Sequence, residues 1–584
     1  ITRQLHAEGV MRIALVSEDA ARWLGTEGLA PGVTVHERSA LDAVQRELRT
    51  VAGVSAIVYE QTCASEKRRR RKRGQLADPD KRIFINQRVC EGCGDCSVQS
   101  NCIAIEPLDT AYGRKRKINQ SACNKDVSCA KGFCPSFVEI EGARLRKPDD
   151  ARLRTLEARL VPALPLPKLP ALGDSFNVVV TGIGGSGVLT MGALLGAAAH
   201  LEGKAATVLD FTGLAQKNGA VVSQVRIAAT TQDIKAVRVG PGTADLLLAA
   251  DIVVAAANDN LARLSPNRTA SVVNTDQTPT SAVVRQRDAT LPSSLMHDRV
   301  RQHSMPGAFH EVSAGALAQS LFGDTVIAHT LMLGYAWQLG LVPLSQASIE
   351  QAIELNGAAV ALNKRAFSWG RIAAADPAAL AEASAPGAPA APRSLDDLVA
   401  ARAAELEAYQ DEAYAARFRT LVDRARSAEA RVAPASEAFA RSVAENAYRL
   451  MAYKDEYEVA RLYGSAEFKA SLAAQFSDMR RISLWLAPPL LSRIDPATGR
   501  PKKRKFGPWI LPAFALLARL KFLRGSRFDP FGHTQERRAE RHLAEDYLAV
   551  IADTCATLER DGLAQALLLA QLPQEIRGFG PVKE

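Results

Sequence analysis

Apolar residues run almost unbroken over Arg12–Ser17 (RIALVS) and Val54–Tyr59 (VSAIVY), the length and texture of strands buried on both faces. Between them Ser39–Leu48 has helical spacing, with Ser39 as the expected N-cap and Asp42 three residues on. Two parallel strands and one crossover helix cannot cover both faces of a sheet. Residues 1–62 are therefore expected to complete a sheet whose other strands come from sequence preceding Ile1. The same texture returns at Asn177–Thr181 (NVVVT), followed by a small-residue helix at Val188–His200 and a second strand at Ala206–Leu209. That pattern opens an α/β domain expected over residues 176–372. A Pro/Leu-rich spacer, Pro162–Pro170, sits inside an expected linker at 149–175, and an Ala/Pro-rich linker is expected at 373–394. Residues 395–584 keep helical spacing to the end. Their most apolar run, Trp509–Leu523, contains Pro512, Arg519 and Lys521, so it reads as a buried helix and not as a membrane span. The fold class expected is α/β multidomain with a mainly helical C-terminal domain.

Length adds domain count: 584 residues suit about three to four domains. The start shows no signal-peptide pattern and no initiator Met, and the chain reads as a piece of a longer polypeptide. The net charge of +10 comes largely from one run, Lys67–Arg73 (KRRRRKR). A solvated surface loop, a nucleic-acid patch and a site for a phosphate-bearing ligand or an acidic protein all fit such a run. No nucleic-acid-binding fold accompanies it, which weighs against the second.

The cysteines change the picture most. Seven of nine lie between Cys90 and Cys134, and in a long chain without a secretion signal such clustering argues for metal ligands over disulfides. Cys90, Cys93 and Cys96 stand at C-x2-C-x2-C spacing (VCEGCGDC), which lets three thiolates converge on three corners of a 4Fe–4S cluster. Gly92 and Gly94 permit the tight backbone and turn amides toward sulfur. Cys134, followed by Pro135, has the local form of a fourth ferredoxin ligand. Cys102, Cys123 and Cys129 are left for a second cluster with one corner open to a non-cysteine ligand; alternatively Cys102 completes the first. A zinc site is the competing reading, but zinc is usually held by paired C-x2-C motifs. Cys63 and Cys555 lack nearby partners and are expected to be ordinary buried residues.

The second candidate is Gly182-Ile183-Gly184-Gly185-Ser186-Gly187, between strand and helix. Gly182, Gly184, Gly185 and Gly187 allow close backbone approach to an anion at a helix N-terminus. The run imitates a dinucleotide fingerprint, with Asp210 after the next strand, but its spacing departs from G-x-G-x-x-G. A phosphate-bearing ligand such as coenzyme A, or tight packing against a neighbour, fits equally. The nine histidines show no metal-ligand spacing, and no catalytic nucleophile motif stands out.

Together ITRQLHAEGVMRI, CASEKRRRRKRG, CEGCGDCSVQSNC, CNKDVSCAKGFCPSF, TGIGGSGVLT, FTGLAQKNGAVVSQVRI, LMLGYAWQLGLVPLS, IELNGAAVALNKRAFSWGR, LMAYKDEYEVARLY and EIRGFG resemble the long fused indolepyruvate ferredoxin oxidoreductases over essentially the whole chain. The resemblance implies a thiamine pyrophosphate-binding tail at 1–62, a ferredoxin-like iron–sulfur insert at 63–148, a gamma-type domain at 176–372 and a helical domain of no assigned chemistry at 395–584. It also implies oxidative decarboxylation of an aryl 2-oxoacid. Thiamine diphosphate and Mg would be held by an upstream half, a 4Fe–4S cluster would pass electrons to ferredoxin, and coenzyme A would take the acyl group. The metal–pyrophosphate motif is absent from this chain, so it is expected to act together with that upstream half. A non-catalytic iron–sulfur electron-transfer subunit is the alternative. A cytoplasmic homo-oligomer without membrane or nucleic-acid partners is expected. The basic runs Lys67–Arg73 and Arg114–Lys117 are expected to meet coenzyme A phosphates or an acidic ferredoxin.

Overall fold

Ile13–Val16, all buried, form the centre of a three-stranded parallel sheet. In this computed structural model, which describes residues 1–146, 148–213, 219–383, 394–488, 492–495 and 499–583, Arg12–Ser17 is flanked by Ser55–Glu60 on one side and Thr34–Glu37 on the other. The third strand, TVHE, is too short and polar to announce itself. Ser39 is not the helix cap: it lies in a 3-10 turn, Arg38–Ala40, and the helix Leu41–Leu48 starts from Ala40 with no side-chain cap. The basic run is not a loop. It forms the helix Ala64–Lys72, where Lys67 pairs with Glu18, and Arg69 and Arg70 pair with Glu66 at 2.6 and 3.0 Å. Cys63, expected to be buried, is exposed.

The chain divides into two compact units, Ile1–Pro79 and Asp80–Glu584. The basic helix thus belongs to the first unit and the seven clustered cysteines to the second.

Within the second unit, Phe176–Ile183 centres a six-stranded sheet ordered Ala205–Thr212, Ala220–Ala228, Phe176–Ile183, Leu246–Ala249, Ala270–Asn274, Phe309–Val312. The last four run parallel; Ala220–Ala228 inserts antiparallel between the first and third. Apolar side chains fill both faces, with Val178 and Val180 in one core and Val179 in the other. The helices Ala328–Gln338 and Val360–Ala375 cross at two glycines. A Cβ on Gly334 would lie 2.0 Å from the Phe367 carbonyl, and one on Gly370 2.0 Å from that of Leu331. Both expected linkers contain helix among the described residues. Asp150–Leu160 packs Leu153 and Leu156 with Trp369, and Pro377–Ala383 continues the α/β domain. The rest of the second linker lies outside the described residues.

The cysteine segment and the C-terminal region share one sheet. Its antiparallel order is Arg504–Phe506, Arg481–Leu486, Phe137–Glu141, Lys81–Ile85. A hairpin, Ile105–Thr110 with Gly113–Ile118, lies beside it. The C-terminal helices bury Phe418, Phe439, Val443 and Ile551 in their own core. The expected buried helix at Trp509–Leu523 is instead one-sided: in Ile510–Arg519, Ile510 and Phe514 are buried while Leu516 is 63% exposed, and Trp509 just before it is equally exposed. Among the described residues no helix is long and apolar enough to cross a membrane.

Candidate metal centre

Gly92 (φ +68°) and Gly94 (φ +81°) make the turns that carry Cys90, Cys93 and Cys96. A side chain is excluded at Gly92, where a Cβ would lie 2.1 Å from the Arg114 carbonyl. The Gly92 amide donates to Cys90 Sγ at 3.4 Å. Gly94 precedes the helix Asp95–Ser100, whose first turn holds Cys96. Across the loop, a Cβ on Gly132 would lie 2.6 Å from Cys96 Cα, so the backbone leading to Cys134 is pressed onto Cys96. Asp95 ties the two segments together by accepting from the Phe133 amide at 2.7 Å. Ser136 Oγ lies 2.9 Å from Cys134 Sγ.

The thiols fall into two sets. Cys90, Cys93, Cys96 and Cys134 are close enough for their charges to act on one another. Cys102, Cys123 and Cys129 form the other set, with the Lys125 amide donating to Cys123 Sγ at 3.3 Å. None of the nine cysteines forms a disulfide among the described residues. These are groupings of thiols and not closed cages: among the described residues no three or more His, Cys, Asp or Glu side chains stand as a metal-holding group. Burial, then neighbouring Cys134, pushes Cys93 up to about 12, and burial drives Cys96, Cys123, Cys129 and Cys134 upward as well.

Around the thiols stand buried cations. Lys115 and Arg116 are 6% and 1% exposed, and Arg116 Nε and Nη2 have no hydrogen-bond partner among the described residues. Burial lowers Lys115 and Lys454 to about 8, with Cys90 acting in the opposite sense on each. Lys503, lowered by burial, is raised by Cys134, Cys129 and Cys96. Buried charges are costly unless paired, by several kcal/mol each, so the crowded cations fit an anionic assembly, one in which the thiols have become thiolates. Metal coordination makes that change outright, and a cluster held by four cysteine thiolates suits the first set. Half of the basic run expected to meet coenzyme A phosphates or an acidic ferredoxin, Arg114–Lys117, is buried. Lys115 and Arg116 face inward, Arg114 pairs with Asp109 at 3.0 Å and Lys117 pairs with Glu106 at 3.5 Å. Sequence reading missed Lys454 and Lys503, since nothing near them in the chain mentions a cysteine.

The glycine loop is partly packing. A Cβ on Gly187 (φ +83°) would lie 2.4 Å from the His329 ring, and one on Gly182 would lie 2.5 Å from Ser186 Oγ. Gly184 donates to the Gly219 carbonyl at 2.8 Å, and exposed Gly185 (φ +98°) has open space where a Cβ would be. The strand order departs from a dinucleotide fold, because the strand after the glycine helix lies two places from Phe176–Ile183, with an antiparallel strand between them.

Residues 177–373 match a family model described as pyruvate ferredoxin/flavodoxin oxidoreductase, and residues 395–584 match a family of unknown function, DUF6537. The chain is similar to the indolepyruvate oxidoreductase subunit IorB of Pyrococcus horikoshii, 30% identical over 198 residues, which is 33% of this chain and 94% of that subunit. The Thermococcus kodakarensis subunit IorB is 29% identical over the same shares. A solved keto/oxoacid ferredoxin oxidoreductase gamma subunit from Geobacter sulfurreducens is 22% identical with a TM-score of 0.25, covering 34% of this chain and 98% of that one. Spanning nearly all of the Pyrococcus subunit at that identity, the chain belongs to the 2-oxoacid:ferredoxin oxidoreductase family.

Proposed function

We propose that this chain is the electron-carrying part of an enzyme that oxidatively decarboxylates an aryl 2-oxoacid of the indolepyruvate type to its acyl-coenzyme A. Cys90, Cys93, Cys96 and Cys134 hold a 4Fe–4S cluster, and Cys102, Cys123 and Cys129 hold a second with one non-cysteine corner. The single observation that carries the reading is the four-thiol set, Cys90 and Cys96 buried and Cys93 and Cys134 half-buried, beside the buried side chains of Arg116 and Lys115. When bound, such a cluster supplies one-electron storage between a two-electron substrate oxidation and ferredoxin. The chain's own residues do the rest. The thiolates grip the irons, the Gly92 and Gly94 turns bring amides to sulfur, and the surrounding side chains keep water away. Thiamine diphosphate and Mg belong to a partner half, and coenzyme A phosphates are assigned to the Gly184–Gly185 turn.

The test is iron and acid-labile sulfide per chain after anaerobic purification. Wild-type protein should carry both, Cys90→Ser and Cys134→Ser should each lose about half of them by loss of the first cluster, and Cys555→Ser should not. Stoichiometric zinc without iron would end the proposal. Mixing with the thiamine-binding half should then give 2-oxoacid-dependent dye reduction that the Cys90→Ser protein lacks.

A further inference from the structure

The C-terminal region is built around the cysteine segment as well as beside it. Its strands Arg481–Leu486 and Arg504–Phe506 supply half of the four-stranded sheet that carries the cysteine segment. Tyr463 donates its hydroxyl to the Pro135 carbonyl at 2.5 Å, directly after Cys134. Arg500 pairs at 3.1 Å with Asp95, the residue that joins the Cys96 helix to the Cys134 segment. Two ammonium groups reach further in. Lys454 pairs with Glu91, between Cys90 and Cys93. Lys503 donates to the Gly132 carbonyl at 2.8 Å, on the backbone pressed against Cys96, and its ammonium stacks over Phe137 at 4.7 Å. Neither lysine is needed for sheet pairing; Glu91 offsets part of the desolvation of Lys454, and for Lys503, which has no carboxylate partner among the described residues, a nearby negative charge would offset that cost.

We infer that the region of residues 395–584, the part matched by a family of unknown function, serves as a charged clasp that holds the redox centre and sets its potential through Lys454 and Lys503. The inference rests on the cluster reading above. A fixed positive charge beside a cluster in a poorly solvated site favours the reduced form, which carries one more negative charge. Removing it makes the cluster harder to reduce.

The experiment uses the full chain purified without oxygen, with iron content, an electron paramagnetic resonance signal and a dithionite-driven potentiometric titration as readouts. Lys503→Gln and Lys454→Gln should each shift the reduction equilibrium toward the oxidised form by about tenfold, which is about 59 mV for one electron. Lys503→Arg should restore the wild-type value, and Lys469→Gln, at an exposed position of the same region, should leave it unmoved. Iron lost from the Gln variants and kept by the Arg variant supports the clasp equally. Full iron with an unshifted potential in both Gln variants overturns it, as does iron loss in the Arg variant, which would make the position one of shape and not of charge. A wild-type chain without iron removes the cluster reading itself, an outcome distinct from any of these.

Discussion

Single residues decide whether the cysteine loop can close, and glycine decides most. Gly92 combines a left-handed backbone with a Cβ direction blocked at 2.1 Å by the Arg114 carbonyl, which is backbone and cannot rotate away. Gly92→Ala therefore adds strain and overpacking together, a destabilisation of about 2–5 kcal/mol. Anaerobic iron content should fall sharply and the unfolding midpoint should drop, whereas Gly74→Ala, at an equally left-handed but open position, should keep full iron. Retained iron in Gly92→Ala would show that the loop has another way to close. This much was legible in the sequence, because glycines alternating with metal-spaced cysteines announce a tight turn. The grouping of Cys134 with the first three cysteines was legible from its proline. Arg116, Lys454 and Lys503 were not. Arg116, in a strand, reads as surface, and only the approach of segments more than 300 residues apart brings Lys454 to Glu91 and Lys503 to Gly132.

Elements follow apolar texture where one element suffices and escape it where partners decide. The runs RIALVS and NVVVT became strands because both of their faces are covered, but the antiparallel strand between Phe176–Ile183 and Ala205–Thr212 is a matter of pairing, which no local pattern encodes. The helix Asp150–Leu160 hid inside an apparent linker because its apolar residues have few neighbours in sequence and acquire them only against Trp369. One junction between elements is testable by pH. Glu202, at the end of the helix Val188–Leu201, accepts from the Ser345 amide and Ser348 Oγ, both at 2.6 Å, where the helix Gln346–Asn356 begins. Burial alone would raise its carboxyl, but Lys204 and these donors outweigh burial and hold it at about 2, below the ordinary 4.5. A depressed carboxyl stabilises the fold fully above its unfolded value and loses that contribution as pH falls toward its folded one. The midpoint gap between wild type and Glu202→Gln should be widest above pH 4.5 and close as pH falls to about 2. A gap constant across that window would remove the carboxylate from the account.

At the scale of the whole molecule, the division at Pro79 separates the longest basic run from the clustered cysteines. All seven clustered cysteines, the inward-facing lysines and every strand of the shared sheet lie in Asp80–Glu584, while the helix of six consecutive lysine and arginine residues, Lys67–Lys72, lies in Ile1–Pro79. The sequence invited the opposite grouping because the basic run and the first cysteine are close neighbours along the chain. Between that helix and the boundary, Arg73 to Asp78 are all exposed, and Arg73 offers trypsin a cleavage site in a segment without regular structure. Exposed segments between compact units are where proteases cut first. Brief tryptic digestion of the iron-loaded chain should therefore cut at or next to Arg73. The larger fragment should keep its iron and its visible absorbance, since no cysteine of either set and no cation around them is lost. If iron were released in step with cleavage at Arg73, the first unit would have to contribute to holding the centre.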